Sequence, residues 1–581
     1  MGNCNQPSCH SPELPKNVEI PKTMKFMKSM SNSDENSHPK IMSLETYRKG
    51  IIGRSVVYQS PFGKVVTLYC DDTASGRPHE AVEHYIRSLL PVYANTHSDN
   101  SLYPVIVNKI YKEAKSYILD HFNAPNNYCL LATGSGSTGA IYQFQEILDN
   151  KFKENILKEK NENKENRPIC LITQYEHHSN ILSWIKWGFE VMAISETAKD
   201  DWERGLKDLN HRLKENMKRP LIVISTSAAS NVTSQITPLK EISIIIKELK
   251  KKHPNLANKI VWSVDLAAYA SHRALDITDL NLDAVFISPH KLTGGPSSSG
   301  ILIFNREFYD STRSPTKPAG GTVKRVVGYL PEDAIYSEDI SERETPGTPG
   351  ILQTIRAALA FQLQSKIGFD IIEEREQELK LKLFNAINEM NEQWQQTCKR
   401  KIEILGPQNM NNRLSVFAVQ VYSAEGVVIH FLQIHRLLND LFGIQVRSGC
   451  NCAGPFGVEL LGIDEETLKA IKGVELALKY GWVRFNVNFS FTELDLQYLI
   501  FSLRFVAENC DVIRESYYTE MGDGNIKLNK ESSPLILNSL IELSDKIYFD
   551  INSPIVVEQV DENERESIQK TIMKRIFEIL R

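Results

Sequence analysis

The chain lacks any long apolar run: none of its 581 residues belongs to a stretch approaching the roughly 18 apolar residues of a membrane-spanning helix. No early apolar segment suggests a secretory leader. Basic charge is not in excess either. A formal net charge of −5 leaves no footprint for nucleic acid, and no nucleic-acid partner is expected. The nine cysteines lack the spacing of a disulfide framework and fit a reducing compartment. These absences point to a cytoplasmic protein. What is present is ordinary for a soluble globular chain, with 41% hydrophobic and 24% charged residues. The length argues for several domains.

The N-terminus qualifies this picture. Met1-Gly2-Asn3-Cys4 resembles the start of an acylated protein, with Gly2 for myristate and Cys4 for palmitate, although Gln6 stands where serine or threonine is usual. Membrane association is expected only if those two residues are acylated.

Residues 1–41, rich in Ser, Asn, Pro and Lys, read as a disordered tail. From 42 to 350, strand-like runs alternate with helical patterns. The strands are expected at Tyr128–Ala132, Ile169–Thr173, Leu221–Ser225, Ile260–Val264, Ala284–Ser288 and Gly300–Phe304, with a helix over Pro238–Lys251. That alternation predicts an α/β fold with a mostly parallel sheet, and ligand binding beyond the carboxyl ends of its strands. Lys158–Arg167 reads as a solvated insert, and Gly320–Gly350 as an ordered functional loop or a crossing between domains. A single long helix over about Thr354–Lys401 is expected to bridge to a smaller α/β domain ending near 510, with strands at Leu414–Val421 and Trp482–Asn488. Residues 511–581 form an extension with a helical segment, Glu564–Leu580, and no assignable role.

The chemistry gathers around Lys291. The buried-strand pattern Ala284–Ile287 ends in Ser288, His290 and Lys291, and the run Ile260–Val264 ends in Asp265. A lysine beside hydroxyl and imidazole donors, with a carboxylate from a neighbouring strand end, suits pyridoxal phosphate. The lysine forms the Schiff base, the donors hold phosphate, and the carboxylate keeps the pyridine nitrogen protonated. Upstream, Thr133–Ala140 (TGSGSTGA) follows a strand and opens a helix. Its small residues let backbone N–H groups approach an anion.

Further motifs fall in the order found in class V aminotransferase-fold enzymes, and the chain resembles their cysteine desulfurase and selenocysteine lyase branch from about Thr67 to Ala507. The resemblance implies a fold type I architecture: a large domain built on a seven-stranded sheet between helices, plus a smaller C-terminal domain. It implies that Ser137, Thr138, Ser288 and His290 hold the cofactor phosphate. His177, in Glu176-His177-His178-Ser179-Asn180, would stack on the pyridine ring and shuttle protons, while His178 has the weaker claim. Asn231, in Ser230-Asn231-Val232, would contact the phenolic oxygen, Asp265 the ring nitrogen, and Lys291 would carry the cofactor. Thr348, in Gly347-Thr348-Pro349, would reach a second subunit's phosphate, implying a homodimer with shared active sites.

Arg447 precedes Cys452 by five positions in RSGCNCAGP, the spacing of a catalytic cysteine on a mobile loop, and Arg484 matches the clamp for the substrate α-carboxylate. Arg447 and, more weakly, His97 join the substrate residues. The implied reaction takes sulfur or selenium from L-cysteine or an analogue through a Schiff base with the cofactor and a Cys452 persulfide, leaving alanine. A sulfur-acceptor protein is a possible partner. Ala268 departs from the pattern, standing where a glutamine is expected, and keeps transamination, racemisation or elimination open; a non-catalytic scaffold is the remaining alternative. Cys450 has no implied role, and the absence of a second cysteine pair argues against a metal site.

Overall fold

A computed structural model describes residues 42–60, 62–96, 98, 100–157, 167–471, 480–513, 517–519, 526–528 and 557–579. The expected N-terminal tail, the insert over 158–166 and His97 lie outside the described residues. Among the described residues, no helix is long and apolar enough to cross a membrane.

The main sheet has seven strands in the order Tyr128–Thr133, Gly300–Asn305, Ala284–Ile287, Ile260–Asp265, Ile222–Ser227, Ile169–Ile172, Glu190–Ala193. Five of them pair in parallel, and Gly300–Asn305 runs antiparallel to both neighbours. Strands Ile222–Ser227 and Ile260–Asp265 are buried along their whole length. Helices cover both faces of such a sheet, so its strands read as continuous rather than alternating apolar runs. The helix Gly136–Leu157 seals one face, with Phe144 against Phe286 at 5.8 Å and Phe304 at 6.2 Å between ring centroids. Register places Ser227 beside Asp265 and Asp265 beside Phe286, so Ser227, Asp265 and the Ser288–Lys291 turn emerge at one sheet edge.

The expected bridging helix is instead two helices, Ile351–Ile367 and Phe369–Gln395. Gly368 separates them at φ 89° and ψ 137°, a conformation open to glycine and strained for any residue with a Cβ. The Gly320–Gly350 loop contains a hairpin, Val323–Val326 against Ala334–Tyr336, and a short helix, Ile340–Arg343.

The second sheet runs Lys401–Ile404, Val416–Tyr422, Trp482–Asn486, Arg447–Gly449, all antiparallel. Its core is apolar, with Phe417 and Phe485 stacked at 5.8 Å. A parallel bridge joins Leu68–Tyr69 to Ile444–Gln445 and carries the following residues, Asp71 and Asp72, to the rim of this sheet.

The extension beyond the second sheet has a place in this fold. Glu558–Gln559 adds a strand to Val56–Ser60, and the helix Glu562–Ile579 follows. Fully buried Arg565 reaches Asp495 at 2.6 Å, and Arg54 reaches the same carboxylate at 2.7 Å. Burial pushes the Asp495 carboxyl up, but Arg565 and Arg54 outweigh it and hold the group below the usual carboxylate range.

Candidate active site

A cavity of about 210 Å³ opens where the main-sheet strand ends meet the second sheet. Ser137, Thr138, His177, Asn231, Asp265, Ser288, His290, Lys291, Arg447, Cys452 and Arg484 all line it. Of the described residues singled out in the sequence, Thr348, His178 and Cys450 do not. Thr348 sits apart, its Oγ1 accepting a hydrogen bond from Asn95 Nδ2 at 3.1 Å.

One wall comes from the main sheet. Lys291 is half-buried and shares this wall with the buried carboxylate of Asp265. Burial pulls its ammonium down to about 8; Asp265 opposes that shift, and Arg484 and Arg447 reinforce it. Asp265 is pushed up by burial, against the Ala267 N–H (2.9 Å from Oδ1) and the charge of Lys291. Burial, with Lys291 nearby, lowers both His177 and His290 to about 4, so both rings are neutral at pH 7. The Ser179 N–H donates to His177 Nδ1 at 3.2 Å, which leaves the ring proton on Nε2. Thr138 and Ser179 hydroxyls pair at 2.8 Å and tie this histidine to the Gly136–Leu157 helix. Glu176 lies behind, fully buried, accepting from the Ser227 N–H, the Ser227 hydroxyl and Asn180 Nδ2, and burial raises it to about 7. It braces the strand ends and does not line the cavity.

The fit of a phosphorylated cofactor can be judged at Gly136, the first residue of its helix, with φ 56°. A Cβ there would stand 2.8 Å from His290 Cε1 and 2.9 Å from Ser288 Oγ. Only glycine leaves this cradle open. Ser288 Oγ accepts from the Ser137 N–H at 2.9 Å and donates to Ser137 Oγ at 3.0 Å, so serine hydroxyls and a helix N-terminus converge on one spot. Such a site suits a phosphate. Together with the cavity-lining Lys291 and the buried Asp265 carboxylate, the donor set fits pyridoxal phosphate.

The opposite wall is built differently. Arg447 and Arg484 are directly paired across the second sheet, an arrangement that like charges disfavour. Asp71 compensates. Its Oδ1 accepts from Arg484 Nη2 at 3.0 Å, and its Oδ2 lies 3.8 Å from Arg447 Nη1. Arg484 is nearly buried and also donates to Asn231 O at 2.9 Å. The guanidinium is therefore already oriented, with Asp71 holding part of the fork that a substrate carboxylate would use. Sequence reasoning missed Asp71; its one signal was an acidic pair, Asp71-Asp72, closing a short apolar run. Asn231 turns its Nδ2 to Asn451 O at 2.8 Å, and so holds the cysteine loop rather than pointing free into the cavity.

Cys452 is exposed and follows Asn451 in an unusual backbone, φ 52° and 59° for the pair. Left-handed non-glycine residues cost on the order of 1–3 kcal/mol each and persist where their surroundings impose them. Here the loop is pinned rather than free: besides Asn451 O, Cys452 O accepts from the His178 N–H at 2.9 Å, and His178 Nε2 accepts from the Gly454 N–H at 2.8 Å. Among the described residues no cysteine is joined in a disulfide.

Comparison with known proteins agrees with this arrangement. The family model described as "Aminotransferase class-V" matches residues 68–498. A probable cysteine desulfurase of Pyrococcus abyssi is 26% identical over 390 residues, covering 67% of this chain and 85% of the relative. One from Staphylococcus aureus is 27% identical over 289 residues, 49% of this chain and 61% of the relative; the chain thus matches somewhat under two thirds of that protein. Among solved structures, a cysteine desulfurase from Thermococcus onnurineus superposes with a TM-score of 0.61 at 20% identity, over 80% of this chain and 98% of that one. A cysteine desulfurase from Escherichia coli gives 0.56 at 17% identity, again over 80% and 98%. These two share the fold. With most of its length matched by one family model, the chain belongs to the class-V aminotransferases, a pyridoxal-phosphate-dependent family.

Proposed function

We propose that this chain is a pyridoxal-phosphate enzyme of the cysteine desulfurase type, removing sulfur from L-cysteine or a close analogue and passing it to Cys452. The observation that carries this reading is the presence of Lys291, Arg484 and the Cys452 thiol on one cavity. When bound, the cofactor supplies an electron sink for charge developing at the substrate Cα.

The chain's own residues do the rest. Ser137, Thr138, Ser288 and His290 would hold the phosphate, Asp265 would keep the ring nitrogen protonated, and neutral His177 would lie against the ring. Arg484, with Arg447, fixes the substrate carboxylate, and Lys291, released from the cofactor, takes the Cα proton through Nζ. The Cys452 thiolate attacks the substrate Sγ. The Sγ–Cβ bond breaks, its electron pair ends on Cβ, Cβ takes a proton to become the methyl group, and Lys291 Nζ returns the proton to Cα to complete alanine. Cys452 is left as a persulfide, whose outer sulfur passes to an acceptor protein or a thiol reductant. Selenocysteine would follow the same route.

Thr348 lies outside its own cavity, which supports a homodimer in which it serves the other subunit's phosphate. A cytoplasmic setting, with membrane attachment only through Gly2 and Cys4, belongs to the same proposal. Ala268 is the observation that favours another reaction on the same cofactor, because it lines the cavity without a polar group.

Alanine, sulfide and selenide measured together on purified protein with added cofactor test the proposal. Cys452→Ala is expected to keep the cofactor's visible absorbance and lose alanine formation. Alanine released at the wild-type rate would show that a different reaction occurs.

A further inference from the structure

The two histidines of the Glu176-His177-His178 run divide their work. His177 faces the cavity, whereas His178 turns to the cysteine loop, with 6.3 Å between the ring centroids. His178 contacts that loop twice: its N–H donates to Cys452 O at 2.9 Å, and its Nε2 accepts from the Gly454 N–H at 2.8 Å. The two contacts bracket Cys452. Gly454 permits the second, since a Cβ there would stand 3.1 Å from His178 Nε2. Tyr480 Oη donates to Gly454 O at 3.0 Å and so holds the next peptide, on the far side of the Gly454 Cα. Because His178 is the cap of the helix Ser179–Lys186, which contacts the main-sheet strand Glu190–Ala193, these bonds tie the strained loop to the main-sheet side.

We propose that His178 is a positioning residue that latches the Cys452 loop, holding the left-handed Asn451–Cys452 pair and aiming the thiol at the cavity. The latch acts through the ring as an acceptor at Nε2 and not through the size of the side chain. Glutamine places a carbonyl oxygen near the position of Nε2, while asparagine reaches only as far as Nδ1.

The test uses holoenzyme and three variants: His178→Ala, His178→Gln and His178→Asn. Two readouts are independent of turnover: hydrogen exchange of the Gly454 amide, and alkylation of Cys452 by iodoacetamide, followed by peptide mass. Loss of one hydrogen bond of ordinary strength predicts about a tenfold rise in both for the alanine and asparagine variants, with glutamine near wild type. A third readout rests on the proposed desulfurase reaction: kcat for alanine formation should fall about tenfold in the same two variants with KM little changed, because a misaimed thiol slows transfer without weakening substrate binding. Should the alanine variant fail to fold, the glutamine–asparagine pair decides. Equal exchange and alkylation in those two, or wild-type values in His178→Ala, would overturn the latch. An enzyme that forms no alanine at all refutes the desulfurase reading and leaves the exchange and alkylation arms to judge the latch alone.

Discussion

The two walls of the cavity hold their chemistry in opposite ways. On the main-sheet side, Asp265 and the Ser288–Lys291 turn continue buried parallel strands, and burial itself shifts their protonation. On the other side, Arg447, Cys452 and Arg484 depend on a few polar contacts that cross between elements: Asp71 to the arginines, Asn231 to Arg484 and the loop, and His178 to the loop. The first wall is set by packing, which changes little when one side chain is altered. The second is set by a few polar bonds, each of which can be removed alone. A cofactor needs a fixed seat, while a thiol that meets substrate and then gives up sulfur needs a support that can let go.

The largest expected effect lies on the first wall. Lys291→Ala should abolish covalent capture of pyridoxal phosphate and lower turnover by more than about a thousandfold, as for other nucleophile deletions; retained absorbance and turnover would break the assignment. The same lysine predicts a pH profile. With its ammonium lowered to about 8, the neutral amine that captures the cofactor should increase as pH rises to about 8 and then level off. Capture by apo-protein that levels off only near the ordinary lysine value of about 10.4 would mean that desolvation and the cavity's arginines do not act on Lys291. The linkage sign is opposite to that of a salt-bridged lysine. Its folded value is depressed, so the unfolded chain binds more protons between the two values, and this group's contribution to stability rises with pH above about 8.

Next in size is Arg565→Ala. It leaves the buried Asp495 with one fewer cation and should cost about 3–5 kcal/mol, read as a lower denaturation midpoint. Because the 557–579 segment braces Arg54 and the helix Glu493–Ile513, the loss should raise KM for the amino acid more than it weakens cofactor binding. Equal loss of both would erase the distinction between the walls. Smaller still is Asp71→Asn. Without the carboxylate, the paired arginines carry a net charge one unit more positive, and a doubly anionic analogue such as cysteine sulfinate should gain about tenfold over cysteine in kcat/KM. An unchanged ratio would show that Asp71 does not shape the carboxylate site.

How much of this was legible in the sequence follows the same division. The expected central strands lie within about two residues of their observed positions, because strands covered on both faces are uninterrupted β-branched runs bounded by polar turns. Glu190–Ala193 gave no such signal: it is an edge strand, only partly buried. The bridging helix read as one because its apolar pattern continues across Gly368, and a backbone reversal leaves no mark in periodicity. Lys291 and Asp265 were visible as residue types at strand ends, and His177 and Arg484 through the motifs that resemble the family. Asp71 and the latch at His178 were not, since each is a contact between elements far apart in sequence. The role of the C-terminal segment was hidden for the same reason; nothing near Arg565 in the chain names Asp495.

The most direct test of the account is a single turnover. Holoenzyme mixed with one equivalent of L-cysteine, without reductant, is quenched and its peptides are weighed. The account predicts one added sulfur atom on Cys452, none on Cys450, and one alanine released per site. Alanine without added sulfur on Cys452, or added sulfur that persists at the wild-type rate in Lys291→Ala, would contradict it.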